Sequence, residues 1–209
     1  MLTPRPPRQD LPSHQLQRWS PLPRKLDKAQ RVTRALPLLI HGLLALGVAI
    51  SAWFYAPAGM LLLTLAMGAV LLALASIDWR TFILPDPLNA LLALLGIFMI
   101  WQHARADWLD HVIGGAAAYL ALLCLELFYR HVRGIDALGR GDAKLAGALG
   151  LWLGWQIVPL LFLLAAGSGL IAVLIYSGLF RRTIGADTPI PFGPWMALSG
   201  WICWLVAPV

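Results

Sequence analysis

The sequence predicts an all-α fold: a polytopic membrane helical bundle of about seven transmembrane helices. Three observations predict it. Hydrophobic residues make up 59% of the 209 positions and charged residues 12%, with a mean hydropathy of +0.73; soluble domains carry about 25% charged residues. Most of the chain falls into uncharged apolar runs near the ~20 residues that a span requires. Ten tryptophans fit aromatic belts at the headgroup level.

Residues 1–34 stand apart. They hold Arg5, Arg8, Arg18, Arg24, Lys25, Lys28, Arg31 and Arg34 against Asp10 and Asp27, the whole of the net charge of +6. A segment rich in Pro, Gln and Arg cannot bury a core, which predicts a disordered tail. With no aromatic interleaving, its charge points to anionic lipid at the cytoplasmic surface and not to nucleic acid. Residues 35–209 form the membrane domain. Its first span is Ala35–Tyr55, closed by a turn at Pro57 and Gly59, and the second is Ala58–Ile77. Pro87–Gln102 is the third and His111–Tyr129, with Glu126 inside it, the fourth. Leu145–Phe180 is one apolar stretch of 36 residues. At about 1.5 Å per residue it would reach roughly 54 Å, against a hydrocarbon core of about 30 Å. A break near Gly154-Trp155-Gln156 and Pro159 therefore splits it into Leu145–Val158 and Pro159–Phe180. Thr188–Val209 supplies the seventh span.

Loop charge orients the bundle. With the tail in the cytoplasm, the cytoplasmic connections hold Arg80, then Arg130, Arg133 and Arg140, then Arg181 and Arg182; the opposite loops hold Arg105 alone. This is a positive-inside pattern. It sets Asp78, Asp86 and Asp142 at one cytoplasmic boundary.

Charged groups at the edge of hydrocarbon are costly and tend to be functional. Asp78 closes an apolar run, and Asp142 opens another within Gly139-Arg140-Gly141-Asp142-Ala143-Lys144. Two close carboxylates cannot both ionise, so they share a proton; one can then deprotonate water while the other protonates a departing amine. Gly139 and Gly141 would allow close backbone approach and φ > 0. Near a helix start, Asp142 gains from the helix dipole. Structural readings compete. Asp86 before Pro87 reads as an N-cap with proline at the first helical position, and Asp78 or Asp142 could also be a cap. Glu126 and Arg130, four apart, read as an interfacial ion pair. His41, His103, His111 and His131 match no zinc pattern, and Cys124 and Cys203 form no CxxC pair, so no metal ligand is expected.

Taken together, Ser76-Ile77-Asp78 through Leu84-Pro85-Asp86-Pro87-Leu88, the Gly139–Leu145 segment, and Ile190-Pro191-Phe192-Gly193-Pro194 resemble the signature regions of the type IV prepilin peptidases. These are aspartic peptidases of the bacterial inner membrane, and the resemblance covers roughly residues 58–205. Presenilin-type enzymes share a lone GxGD but pair it with elements that do not occur here. The resemblance implies that Asp78 and Asp142 are the catalytic pair of a cytoplasm-facing active site. It implies a prepilin or pseudopilin substrate, cut after a glycine. Lys144 matches the family lysine; with Gly139, Gly141, Pro85 and Asp86 it would support the site or bind substrate. Asp136 stands where the family is commonly acidic.

Many family members carry an N-terminal cytoplasmic domain whose paired CxxC motifs bind zinc and which is associated with methylation of the pilin by S-adenosylmethionine. Here the short basic tail stands in that place, so the resemblance implies a short form with peptidase activity, no cofactor and no support for methylation. Two other classes fit parts of the pattern: an ion-coupled carrier that uses the two aspartates, or an inactive assembly scaffold. No repeat supports the carrier, and both aspartates being present argues against the scaffold.

Overall fold

A computed structural model of the protein describes residues 25–133, 139–180 and 191–206. Among these, seven helices follow in order: α1 Lys25–Tyr55, α2 Leu61–Thr81, α3 Asp86–His103, α4 Trp108–Arg133, α5 Arg140–Leu153, α6 Val158–Phe180 and α7 Gly193–Val206. Residues 1–24, Asp136, the Arg181–Asp187 connection, Ile190 and the end of the seventh span beyond Val206 lie outside the described residues. The chain divides after Leu43 into two compact units, and the second, Leu44–Val209, holds α2 to α7.

The predicted breaks fall where the sequence punctuates it. The Pro57–Gly59 turn is present, with Gly59 at φ 78°. The long apolar stretch splits at Gly154, which ends α5 at φ 73° before α6 starts at Val158. One boundary differs. The first helix begins at Lys25, so residues 25–34, read from composition as disordered tail, are helical. Between Pro23 and Pro37 there is neither glycine nor proline, and Lys, Gln, Arg, Ala and Leu are all good helix formers.

Leu61–Thr81, Trp108–Val132 and Val158–Gly178 are long and apolar enough to cross a bilayer. The α5 helix, with 14 residues, reaches only about 21 Å. It is the centre of the bundle and packs on α3, α4 and α7. Ala143, Leu145, Ala146, Ala148, Leu149, Trp152 and Leu153 are buried along it, so polar neighbours are few. Its contact with α4 is backbone to backbone: a Cβ on Gly150 would lie 2.6 Å from the Gly114 carbonyl carbon and 2.8 Å from the Gly115 nitrogen. Small residues permit such approach where lipid offers no hydrophobic drive for helix association. At the centre, the rings of Trp152 and Trp204 meet edge to face at 5.1 Å. Their indole N–H groups donate to the Leu92 carbonyl and the Thr64 hydroxyl, each at 3.0 Å, so neither buried polar handle is wasted. The outer faces of α2, α4 and α6 expose Leu62, Leu120, Phe128, Leu163, Leu170 and Leu174, the surface expected against lipid.

Candidate active site

Asp78 sits on the last turn of α2 and is 5% exposed. Four residues later the helix is capped by Phe82, which takes the left-handed conformation (φ 55°) and donates its N–H to the Asp78 carbonyl at 2.9 Å. A non-glycine residue there costs roughly 1–2 kcal/mol. The turn sends the chain inward, so that Leu84 is buried against the backbone of Gly141 and Gly193. The Asp78 carboxylate accepts a hydrogen bond from the Gly193 N–H at 3.0 Å. Gly193 is the first residue of α7, so Asp78 sits at the positive end of a helix. A Cβ at 193 would stand 2.8 Å from Asp78 Oδ2, so any larger residue must displace the carboxylate or the helix. The sequence singled out the Pro191–Pro194 motif but not this role for it.

Asp142 is the third residue of α5 and half-buried. Gly139 is the N-cap, and its carbonyl accepts the Asp142 N–H at 3.0 Å. The Asp142 carboxylate lies near Gly139, where an added Cβ would stand 3.4 Å from its Oδ2. It is also within electrostatic reach of Asp78. Leu84 packs both on Gly141, next to Asp142, and on Gly193, whose N–H holds Asp78, so residues 64 positions apart in the chain come to one end of the bundle.

Two expectations are corrected. Gly139 has φ −75°, and among the described residues only Gly59 and Gly154 are glycines with positive φ. Gly141 is thus needed for space and not for a left-handed backbone: a Cβ on it would lie 2.9 Å from Leu84 Cβ, whereas one on Gly139 would meet only ordinary contacts. Nor is Asp86 the N-cap of α3. Pro85 is, its carbonyl accepting the Leu88 and Asn89 N–H groups at 3.2 Å. Asp86 is exposed and its carboxylate accepts a bond from Lys144 Nζ at 2.6 Å, tying α3 to α5 beside Asp142. Proline at the second helical position needs no N–H partner, so the first turn forms without an aspartate cap.

Sequence reasoning passed over Asn89, a lone amide in an apolar run, which is buried and donates to the Gly141 carbonyl at 3.5 Å. The Glu126–Arg130 pair is present at 3.3 Å, but Glu126 also faces Arg140 at 3.5 Å, a contact with no local signature. Trp79 and Trp195 meet edge to face at 6.4 Å, joining α2 to α7 next to Asp78. A cavity of about 330 Å³ lies at the far ends of α3 and α5, lined by His103, Asp107, His111, Trp152 and Gln156, and includes neither Asp78 nor Asp142.

The fold defines a helical membrane bundle that carries Asp78 against the Gly193 amide and Asp142 in the first turn of α5. The chain belongs to the type IV leader peptidase family, which matches residues 65–175. A prepilin leader peptidase/N-methyltransferase of Pectobacterium carotovorum subsp. carotovorum is 43% identical over 130 residues, 62% of this chain and 46% of that protein. One from Aeromonas hydrophila is 38% identical over 168 residues, 80% of this chain and 56% of the relative. One from Escherichia coli (strain K12) is 39% identical over 139 residues, 64% and 60% of the two chains. The chain thus spans about half the length of the curated relatives it matches. No solved structure matches it.

Proposed function

We propose that this chain is a membrane aspartic endopeptidase that removes the N-terminal leader of type IV prepilins or pseudopilins at the cytoplasmic face of the bacterial inner membrane. The observation that carries the proposal is that Leu84 packs on both Gly193, which holds Asp78, and Gly141, next to Asp142, in a chain of this family. Leader cleavage is peptide hydrolysis, and two adjoining carboxylates supply both proton transfers it needs. The ionised member takes a proton from water, which attacks the scissile carbonyl. The protonated member donates to the leaving amine, and the pair ends with its proton shared as before. The Gly193 N–H holds one Asp78 oxygen, leaving the other for water or for the proton. Which aspartate starts as the base belongs to the coupled pair and not to either residue alone.

Loop charge supports a cytoplasmic N-terminus and a site at the same face, where a leader still attached to its pilin's apolar helix would be presented. The basic segment would add attraction to anionic lipid. The test is incubation of the purified protein with a full-length prepilin in detergent micelles, read by intact mass. Loss of the leader by a single cut after its glycine is expected; an uncut substrate under conditions where the protein is folded would reject the proposal.

A further inference from the structure

Two buried polar groups outside the signature segments meet the same turn of α5 from opposite neighbours. Asn89, 3% exposed on α3, donates from Nδ2 to the Gly141 carbonyl at 3.5 Å. Glu126, 2% exposed on α4, accepts from Arg140 at 3.5 Å and from Arg130 at 3.3 Å, all through Oε1. Their partners, positions 140 and 141, immediately precede Asp142.

The same two residues share a second property. Among the described residues, the buried side-chain atoms left without a hydrogen-bond partner are Asn89 Oδ1 and Glu126 Oε2. Rotating the Asn89 amide would point its oxygen at the Gly141 carbonyl, so the donor assignment is fixed by chemistry. Leaving a buried acceptor unmet destabilises a fold, and an apolar side chain of the same shape would remove that cost. Both positions therefore hold groups that burden stability, and both touch the turn that bears Asp142.

That turn needs outside support. The first N–H groups of a helix have no intrahelical acceptor, and Gly139 and Gly141 add no side-chain packing of their own. The remaining tie, Lys144 to Asp86, is exposed on both sides and correspondingly weak. We infer that Asn89 and Glu126 form a two-sided brace that positions Asp142 through Gly141 and Arg140. The inference rests on Asp142 acting as proposed above.

The brace makes a paired expectation that plain structural residues would not. Asn89→Leu and Glu126→Met remove the orphans while keeping the volume, and the arginines facing Glu126 are solvated, so thermal unfolding in detergent should stay at or above the wild-type temperature. Leader cleavage should nonetheless fall on the order of 10- to 100-fold in kcat with KM little changed, the effect of misplacing a reacting group. Glu126→Gln, which keeps the shape, serves as the second variant should either substitution impair folding, and should show the same fall in smaller degree. Amide hydrogen exchange at residues 140–143 should quicken in all three. Wild-type cleavage together with unchanged exchange would overturn the brace, as would a fall in stability with kcat preserved. If the wild-type protein itself leaves the leader uncut, the proposed function fails, and the exchange and unfolding measurements still decide whether the brace exists.

Discussion

Gly193→Ala would place a methyl group 2.8 Å from Oδ2 and 3.0 Å from Cγ of Asp78, and 3.2 Å from Leu84 Cδ2. Ordinary contact begins near 3.4 Å, so the carboxylate must retreat by about 0.6 Å or α7 must shift by as much. Either movement stretches the 3.0 Å bond from the Gly193 N–H toward a length at which little of it remains. A hydrogen bond to a charged group contributes about 1.5–3 kcal/mol. Alanine restores up to about 1 kcal/mol of helix propensity, leaving a net loss of about 0.5–2 kcal/mol at full offset, which a fold stabilised by about 5–15 kcal/mol survives. Catalysis should suffer more. A 1 Å misplacement can cost on the order of 100-fold, so leader cleavage should drop by tens of fold while the unfolding temperature falls by a few degrees. The control is Gly167→Ala on α6, where no atom lies within 4 Å of the new methyl group and both readouts should hold. Cleavage by Gly193→Ala at the wild-type rate would refute the assignment of Gly193 as the residue that seats Asp78.

Asp86→Asn and Lys144→Met each break an exposed ion pair worth at most about 1 kcal/mol; each should lower cleavage less than about 10-fold, and combining them should cost no more than either alone. An Asp86→Asn protein as inactive as the Asp142 variant would instead put Asp86 in the reaction. Gly150→Ala drives a methyl group into the α4 backbone and should destabilise by about 1–3 kcal/mol or more; an unchanged unfolding temperature in detergent would contradict the packing described. For topology, in a chain freed of Cys124 and Cys203, a cysteine at position 106 should react with a membrane-impermeant reagent from the periplasm and one at 83 should not; the reverse pattern would invert the site.

How much was legible in the sequence follows from the range of the forces involved. The break at Gly154 was readable because a 36-residue apolar run cannot fit one bilayer, and the Pro57–Gly59 turn because its residues specify it locally. The two aspartates stood out because charge is rare in such a chain. Contacts between distant segments left no local mark. Nothing near Asp78 announces that its acceptor is served by an amide 115 residues away. Asn89 and Glu126 each interrupt an apolar run, yet only the packing of α3 and α4 on α5 shows that they converge on one turn. Gly139 and Gly141 suggested an unusual backbone, whereas the need is room at Gly141 for Leu84, which no single segment reveals. Asp86 followed by proline resembled a cap because the local pattern is the same; its pairing with Lys144 depends on a residue 58 positions on.

The central claim is that Asp78 and Asp142 together perform the chemistry. The direct measurement is single-turnover cleavage of a full-length prepilin by Asp78→Asn and Asp142→Asn, with thermal unfolding as the control for folding. Asparagine keeps the shape and, at 78, an oxygen that can still accept the Gly193 N–H, so both proteins should insert and unfold near the wild-type temperature. Neither should cleave, because an amide cannot take up or share the proton that the reaction moves. Cleavage near the wild-type rate by either folded variant would contradict the account.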